Sequence, residues 1–187
     1  DLPETKHVLV LGDGDGRLLE QLCRTQPACR ITSVDQSGQM LQRQRQRVER
    51  AGASERVEWV SADARDFRPI ASQYDLLVMA FFLDCFTRRE LPSLLDQWLA
   101  GVRAGGLLYF VDFMQPNSGW RRYRAAIHLA VMHRFFRWQT GLPNRRLVDL
   151  GAVLDEQPVS LIKSTRHNHD MIVSRLYRVD HFSTVRS

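Results

Sequence analysis

Two aspartates lie inside a glycine-rich turn near the start of the chain. The turn follows an apolar run, precedes a helical pattern and has the sequence Gly12-Asp13-Gly14-Asp15-Gly16. A strand, a glycine turn and a helix together build a cradle in which the backbone approaches a nucleotide closely. Dinucleotide-binding proteins carry a third glycine where this chain has Arg17, so the spacing by itself is weak evidence for that class of ligand.

The charge of the turn is more informative than its spacing. A diphosphate bound there would face the carboxylates of Asp13 and Asp15, and like charges repel at short range. The positive end of the following helix favours an anion by only about 0.3–1 kcal/mol at an exposed site. S-adenosylmethionine (SAM) has a sulfonium and an ammonium group and no phosphate, so an acidic turn suits it. Alternatively, the aspartates face solvent or cap the helix, an interpretation that fits Asp15 better than Asp13.

Two further acids follow predicted strands. Asp35 comes directly after the second strand, where a carboxylate can accept hydrogen bonds from both hydroxyls of a ribose. Alternatively it closes a turn or caps the next helix, a role for which Ser37 competes. Asp63 follows the third strand and can accept from the amino group of adenine while the Ala64 N–H meets a ring nitrogen, unless this segment is an ordinary polar loop. Acids after three successive strands favour a nucleoside site more than any one of them does alone.

Short apolar runs alternate with helical patterns along the chain, which predicts βαβ units and a parallel sheet. Helical patterns follow the first two strands and also cover 91–102, 120–138 and 147–154, and the pair Gly105-Gly106 is expected to end the helix over 91–102. Strands are predicted over 7–11, 30–34, 56–61, 74–80, 107–112, 159–165 and 171–179.

These elements predict one domain over residues 1–187, of the α/β class. We expect a doubly wound, mostly parallel sheet with an antiparallel last strand. Only residues 167–169 separate the last two strands, and so short a turn requires antiparallel pairing. The helical segment 116–156 is expected to cover the substrate.

Composition and charge limit the function further. The chain has 187 residues, a formal net charge of +5 and a pI of about 9.6. This charge fits an acidic or nucleic-acid partner, and it equally fits a solvated arginine-rich surface. The three cysteines form no C-x-x-C pair, and no leader or long apolar segment is found. We therefore expect a cytoplasmic protein with no transmembrane segment, disulfide frame or metal site.

Taken together, the motifs resemble those of the class I SAM-dependent methyltransferases, over residues 7 to 179. Residues 8–16 are similar to the family's glycine motif, 34–41 to its acidic ribose motif and 61–64 to its adenine motif. The resemblance implies a seven-stranded sheet with an antiparallel last strand, and SAM as the cofactor. The cofactor contacts that we expect are Gly12, Asp13, Gly14, Gly16, Asp35, Gln36, Asp63, Ala64 and Ala80.

The chain departs from this family at Val10, where an acid usually contacts the methionine end of SAM indirectly. We expect Asp13 to take over the contact with the ammonium group. Few residues precede the first strand, so the helix that often covers the cofactor is not expected within this sequence. Both departures favour a second interpretation, in which the chain is a non-catalytic SAM-fold module that binds a partner.

Methyl transfer is an in-line displacement, so much of the rate enhancement can come from positioning and from excluding water. A base is needed only where the nucleophile arrives protonated. The candidates are Asp84, after the fourth strand, and His128 and His133 on the long helix. Alternatively, Asp84 caps the helix that follows, and the histidines are surface or packing residues.

The residues after the fourth strand point to the methyl acceptor. Enzymes that methylate amino groups of nucleic-acid bases resemble one another in an Asn/Asp-Pro-Pro-aromatic motif there, whereas this chain has Ala80-Phe81-Phe82-Leu83. The phenylalanines predict an apolar pocket and a small apolar, aromatic or lipid-like acceptor, with the helix over 120–138 as its cover. That helix could instead lie on a membrane surface or stack bases beside phosphates. An arginine face over 43–50 favours a third interpretation, an RNA-directed methyltransferase. The sequence carries no signal for an oligomeric state.

Overall fold

Seven strands form one sheet in the computed structural model of the chain, which describes residues 5–113, 150–167 and 172–180. The strands lie in the order β3-β2-β1-β4-β5-β7-β6; β7 is antiparallel to both of its neighbours, and the other neighbouring pairs are parallel. The predicted, mostly parallel sheet with an antiparallel last strand is confirmed. The strands are β1 (His7–Leu11), β2 (Arg30–Asp35), β3 (Val57–Ser61), β4 (Tyr74–Ala80), β5 (Val102–Phe113), β6 (Val159–His167) and β7 (Ile172–Val179).

Helices cover both faces of the sheet. Leu19 of the first helix and Val48 of the second enter one buried cluster, whereas Leu95 and Trp98 of the third and Val153 of the fourth enter another on the opposite face. The sheet is therefore doubly wound, as predicted. Within the described residues the helices are α1 (Arg17–Thr25), α2 (Gly38–Arg50), α3 (Leu91–Leu99) and α4 (Leu150–Asp155).

The central strand β4 shows why the sequence signal for this sheet is strong. Every residue from Tyr74 to Met79 is buried. Leu77 packs in the cluster beneath α3, whereas Leu76 and Val78 pack in the cluster beneath α1 and α2, because successive side chains of a strand point to opposite faces. A strand covered on both faces has a continuous apolar sequence, which is what the chain has over 76–80.

The third helix is shorter, and the strand after it longer, than the sequence predicted. α3 ends before Val102, which is instead the first residue of β5 and pairs with Tyr74. The next pair in the register is Leu76 with Leu107, so β5 bulges between these pairs, and Gly105 there has a φ of +75°. The two glycines thus accommodate a bulge in the strand and do not end the helix.

Some predicted elements fall outside the described residues. The helix predicted over 120–138 does so entirely. The expected cover segment, 116–156, is described only from residue 150, where α4 matches the end of the helix predicted over 147–154. None of the helices in the described part of the chain combines the length and the apolar character that crossing a bilayer requires.

Candidate cofactor site

The glycine turn and Asp35 lie at the same edge of the sheet. In the parallel pairing, Leu11 at the end of β1 faces Val34 of β2 and Met79 of β4, so the residues that follow these strands meet at their carboxyl ends. The Gly12 N–H donates to the Val34 carbonyl at 3.0 Å, which extends the β1–β2 pairing into the turn. In open α/β sheets ligands bind outside this edge, at the point where the strand order reverses. Here that point lies between β1 and β4.

Two of the glycines are required by backbone conformation and by close contacts. Gly12 has a φ of +62°, and a Cβ there would lie 2.1 Å from Cδ2 of Phe82. Gly16 has a φ of +88°, and a Cβ there would lie 2.8 Å from the Cα of Gln44 on α2. At Gly14, by contrast, the Cβ position has nothing within 4 Å. The middle of the turn therefore faces open space, as a ligand cradle requires.

Asp13 points back onto the start of α1. Its Oδ2 accepts a hydrogen bond from the Leu19 N–H at 2.8 Å, so Asp13 caps the helix, the role that the sequence assigned more readily to Asp15. Burial raises the pKa of Asp13 to about 7 against the effect of the Leu19 hydrogen bond, and the charges of Asp15 and Asp35 contribute to the rise. A carboxylate in this environment gains stability when a cation approaches it.

Asp15 is neutralised by two arginines. Its Oδ2 lies 3.0 Å from Nε of Arg17 and 2.9 Å from Nη2 of Arg47, and Arg47 Nε also donates to the Asp15 carbonyl at 2.8 Å. Burial opposes ionisation of Asp15, but the hydrogen bonds from Arg17 and Arg47 outweigh it, so the pKa of Asp15 is lowered. Of the two acids in the turn, Asp13 is the one with no arginine or lysine partner among the described residues.

Asp35 ends β2 and receives one hydrogen bond on each carboxylate oxygen. Oδ1 accepts from the Ser37 N–H at 2.8 Å and Oδ2 from Nε2 of Gln44 at 3.4 Å. Burial raises the pKa of Asp35 against these two hydrogen bonds. Ser37 is the N-cap of α2, where its hydroxyl accepts from the Met40 N–H, so α2 does not need Asp35 as its cap. Gln36, the neighbouring expected contact, is exposed.

Gln44 is a site residue that the sequence analysis missed. It is fully buried on α2, its amide nitrogen donates to the Gly14 carbonyl at 3.0 Å, and its amide oxygen accepts from the Ser33 hydroxyl at 2.7 Å. Leu41 and Val48 are buried on the same face of the helix. A glutamine between apolar residues on that face is the signal that could have found it.

The turn after β3 brings Asp63 and Ala64 to the same edge of the sheet. Oδ1 of Asp63 accepts from the Arg65 N–H at 2.8 Å, and the Arg65 side chain pairs through Nε with Glu90 at 2.9 Å. Ala64 is buried, and its carbonyl accepts from Nε1 of Trp98 at 3.0 Å. The turn is thus held against α3 by Trp98 and by the Arg65–Glu90 ion pair.

Two phenylalanines follow β4 at this edge, after the half-buried Ala80. Phe81 is 41% exposed and has a φ of +52°, a left-handed conformation that is uncommon for any residue but glycine. Phe82 packs on Gly12 and meets Phe86 edge to face, with 5.1 Å between the ring centroids. An exposed aromatic side chain on a strained backbone beside a ligand cradle is typical of a functional site.

Asp84, one of the candidate bases, lies in the short 3-10 helix Leu83–Cys85 and is half-buried. Its Oδ1 accepts from the Cys85 thiol at 3.8 Å. The alternative prediction that Asp84 caps the next helix is wrong. The Glu90 carboxylate instead accepts from the Thr87 N–H at 2.7 Å and from its hydroxyl at 2.6 Å, and the Thr87 carbonyl accepts from the Leu91 N–H at the start of α3.

The other two candidate bases, His128 and His133, lie outside the described residues. Within residues 5–113, 150–167 and 172–180, no group of three histidine, cysteine or acidic side chains is arranged to hold a metal ion. Because neither histidine is among the described residues, the assignment of a catalytic base stays a prediction.

Residues 8–106, from the second residue of β1 into β5, match the model of a methyltransferase-domain family. The chain belongs to the SAM-dependent methyltransferases of class I. The cofactor of this family is SAM, which is the ligand that the acidic turn and the later carboxylates predicted.

Named relatives and solved structures agree with this assignment. The ubiquinone/menaquinone biosynthesis C-methyltransferase UbiE of Paracoccus denitrificans is 27% identical over 110 residues, which cover 59% of this chain and 43% of that protein. Trans-aconitate 2-methyltransferase of Streptomyces avermitilis is 31% identical over 138 residues, covering 71% and 46%. The N-methyltransferase NodS of Bradyrhizobium japonicum, solved with S-adenosylhomocysteine (SAH), has the same fold, with a TM-score of 0.67, 17% identity and coverage of 95% and 80%. The chain spans less than half the length of the two sequence relatives.

The residues at the sheet edge fit a SAM-dependent methyltransferase. Open space above Gly14 admits a ligand, and Asp13 offers a carboxylate without a cationic partner in the described residues. Each oxygen of the Asp35 carboxylate holds one protein hydrogen bond and keeps a second acceptor position. Such a set of groups suits a ligand with a cation at one end and two hydroxyls in its middle.

Proposed function

We propose that the chain transfers the methyl group of SAM to a small apolar acceptor, of aromatic or lipid-like character. The observation that carries this proposal is the juxtaposition, at one edge of the sheet, of the acid Asp13, the ribose-binding candidate Asp35 and the exposed aromatic ring of Phe81. The first two suit the cofactor, and the third suits an apolar acceptor next to it.

In this proposal the residues at the carboxyl ends of β1 to β4 would hold the cofactor. Asp13 faces the ammonium group in place of the acid that the family has at Val10. Asp35 accepts from the two ribose hydroxyls, with Gln36 beside it. At the far end, Asp63 and the Ala64 N–H receive the adenine ring. The glycines of the turn, which have left-handed backbone conformations, leave the backbone free of side chains where the ligand would approach it.

When bound, SAM would supply an activated methyl group for a nucleophilic atom of the acceptor, and the electron pair of the broken carbon–sulfur bond would stay on sulfur. The chain's own residues then have to align the acceptor and keep water out, which accounts for much of the rate enhancement in such reactions. In this proposal Phe81 lines the acceptor side, and Ala80 contacts the cofactor. Asp84, or His128 or His133, would take a proton where the acceptor is a hydroxyl or a protonated amine.

The apolar acceptor is supported by two relatives whose names refer to quinones. One is UbiE; the other is the mitochondrial 2-methoxy-6-polyprenyl-1,4-benzoquinol methylase of Caenorhabditis elegans, 27% identical over 119 residues that cover 63% of this chain and 41% of that protein. Trans-aconitate, named in a third relative, is a polar acid and provides the contrasting acceptor class.

Calorimetric titration followed by an acceptor screen tests the proposal. SAM and SAH should bind and NAD should not. SAH formation should then be faster with phenols and quinols than with trans-aconitate. Phe81→Ala should raise KM for the apolar acceptor and leave the Kd of SAM unchanged, whereas Ile70→Ala, which alters another exposed apolar side chain, should change neither. Binding of NAD, or no binding of SAM, would refute the cofactor assignment. Binding of SAM without turnover of any acceptor would favour the non-catalytic module.

An RNA acceptor is the second candidate, favoured by the arginines of α2. Arg43 and Arg50 are exposed, and together with Gln46, Arg47 and Asp15 they line a surface cavity of about 240 Å³. Cations on one helix face bind phosphates with an affinity that falls steeply with salt. RNA binding that weakens strongly between 50 and 200 mM salt (about a tenfold loss or more), and that Arg43→Gln reduces, would favour this candidate over the apolar acceptor.

A further inference from the structure

The side chain of Gln44 is a fully buried polar group beside the proposed cofactor cradle. Its residue has 0% exposure, although a glutamine amide in the interior is costly unless it is hydrogen-bonded. The cost is met by three contacts. The amide nitrogen lies 3.0 Å from the Gly14 carbonyl and 3.4 Å from Oδ2 of Asp35, and the amide oxygen lies 2.7 Å from the Ser33 hydroxyl.

The chemistry of these partners fixes the orientation of the amide. A backbone carbonyl and a carboxylate only accept hydrogen bonds, so the amide nitrogen of Gln44 must face Gly14 and Asp35. The amide oxygen then faces Ser33, whose hydroxyl donates to it. Since the reverse orientation would place oxygen against two acceptors, the side chain has one stable position.

That position connects two parts of the cradle that are distant in sequence. Gly14 is in the turn after β1, and Asp35 follows β2. The Gln44 amide holds the carbonyl of the first and the carboxylate of the second. The backbone of α2 also lies close to the turn, since a Cβ on Gly16 would lie 2.8 Å from the Gln44 Cα. α2 therefore supports the glycine turn through Gln44 both by contact and by hydrogen bonds.

The orientation of the Asp35 carboxylate follows from this arrangement. Ser37 holds Oδ1 through its N–H at 2.8 Å, and Gln44 holds Oδ2 at 3.4 Å. With one donor on each oxygen, the carboxylate cannot rotate freely, and the second acceptor position of each oxygen stays available for a hydroxyl. Preorganisation of this kind improves affinity because the binding site is ordered before the ligand arrives.

We propose that Gln44 is a positioning residue for the cofactor, which orients the ribose-binding carboxylate of Asp35 and fixes the glycine turn relative to it. The inference rests on the proposed function, because it assigns Gln44 a role at that same site. Gln44 touches no reacting atom in this proposal; it acts through Asp35 and Gly14.

Gln44→Met tests the proposal by removing the amide while keeping a side chain of similar length. We expect the Kd for SAH, measured by calorimetry, to rise at least tenfold. Gln42→Met is the matched control, since Gln42 is exposed on the same helix, and its Kd should stay within twofold of wild type. In an Asp35→Asn background the further loss caused by Gln44→Met should be clearly smaller, because the two residues act together. A role in general packing would instead give the same fold-change in both backgrounds.

Gln44→Glu adds a readout that packing alone would not give. Its carboxylate would stand against the Gly14 carbonyl and the Asp35 carboxylate at pH 8, whereas its protonated form at pH 5.5 can still donate one hydrogen bond. SAH affinity relative to wild type should therefore be partly rescued at the lower pH. Should Gln44→Met fail to fold, Ser33→Ala replaces it; this change removes only the hydroxyl that fixes the amide, and we expect a Kd about threefold higher.

The outcomes separate this inference from the proposed function. If wild type binds SAH and both Gln44→Met and Ser33→Ala bind it as tightly, Gln44 is not a positioning residue and the cofactor assignment stands. Equal losses with and without Asp35, or no pH rescue of Gln44→Glu, would likewise overturn the role of Gln44. If wild type itself binds no SAH, the proposed function fails and this inference fails with it.

Discussion

Replacing Asp13 by asparagine should stabilise the fold at alkaline pH and weaken the binding of SAM. Asparagine is neutral and nearly isosteric, and its side-chain oxygen can still accept from the Leu19 N–H that Oδ2 of Asp13 binds at 2.8 Å. The substitution therefore removes the charge and keeps the helix cap. It isolates the electrostatic role of the acid from its structural one.

The magnitude follows from the pKa of Asp13, which burial raises from 3.8 to about 7. The folded protein then binds this proton more tightly than the unfolded chain does. The stability that the proton on Asp13 contributes is fully present below pH 4 and is lost as the pH rises to about 7. At about 1.4 kcal/mol for each pKa unit, the loss is at most about 4 kcal/mol. Asp13→Asn should thus exceed wild type in unfolding free energy at pH 8 by about 2–4 kcal/mol, with little difference at pH 4.

Urea unfolding of both proteins at pH 4 and pH 8 measures this difference. Asp15→Asn is the matched control of opposite sign. The hydrogen bonds from Arg17 and Arg47 outweigh burial and lower the pKa of Asp15, so its charge contributes stability above pH 4 that the variant lacks. Equal unfolding free energies of wild type and Asp13→Asn at both pH values would refute the reasoning.

Asp13→Asn should weaken the binding of SAM at the same alkaline pH at which it stabilises the fold. SAM needs the charged form of Asp13, so the ratio of wild-type to Asp13→Asn affinity should increase several-fold from pH 6 to pH 8. The ligand's own amino group titrates equally with both proteins, and the ratio removes its effect. A ratio that stays constant across this range would contradict the assignment of Asp13 to the ammonium group.

Three other substitutions test the framework around the site by denaturant unfolding and SAH titration. Gly12→Ala would place a Cβ 2.1 Å from Cδ2 of Phe82 at a φ of +62°, so it should cost about 1–3 kcal/mol and abolish tight SAH binding; unchanged stability would contradict the close contact. Asp75→Asn replaces a buried carboxylate that accepts from the Lys6 N–H at 2.6 Å and pairs with Arg103 at 2.8 Å. The hydrogen bonds from the His7 and Lys6 N–H groups and the charge of Arg103 outweigh burial and lower the pKa of Asp75. The unfolding free energy of wild type should therefore exceed that of the variant by about 1–3 kcal/mol at pH 7, and this advantage should shrink as the pH falls below 4. Trp98→Phe removes the donor to the Ala64 carbonyl and should cost about 1–3 kcal/mol with weaker SAH binding; a variant as stable as wild type would show that this bond does not fix the adenine turn.

The sheet could be predicted because its signals are local. The strands at the centre of the sheet, β1, β2 and β4, are short apolar runs, and β4, buried on both faces, has matching bounds in sequence and structure. The end of α3 could not be predicted in this way. Val102 continues the helical spacing of Leu99 and Trp98, and what places it in β5 is its pairing with Tyr74, a contact between residues distant along the chain.

The same distinction holds at the site. The glycine turn and Asp35 were found because they lie at the carboxyl ends of strands. Gln44 was missed because its partners, Ser33 and Gly14, are 11 and 30 residues away, and nothing in the local sequence brings them together. The hydrogen bond of Asp13 to the start of α1 and the ion pair of Asp15 with Arg47 could not be read from the sequence for a similar reason, since Arg47 lies on α2, 32 residues from Asp15.

A crystal structure of the chain grown with saturating SAH tests the central claim most directly. We expect the ligand along the carboxyl edge of the sheet, with its ribose hydroxyls within hydrogen-bond distance of the Asp35 carboxylate and its ammonium group beside Asp13. Electron density for SAH elsewhere, or a glycine turn that stays empty at saturation while NAD places its diphosphate there, would contradict the account.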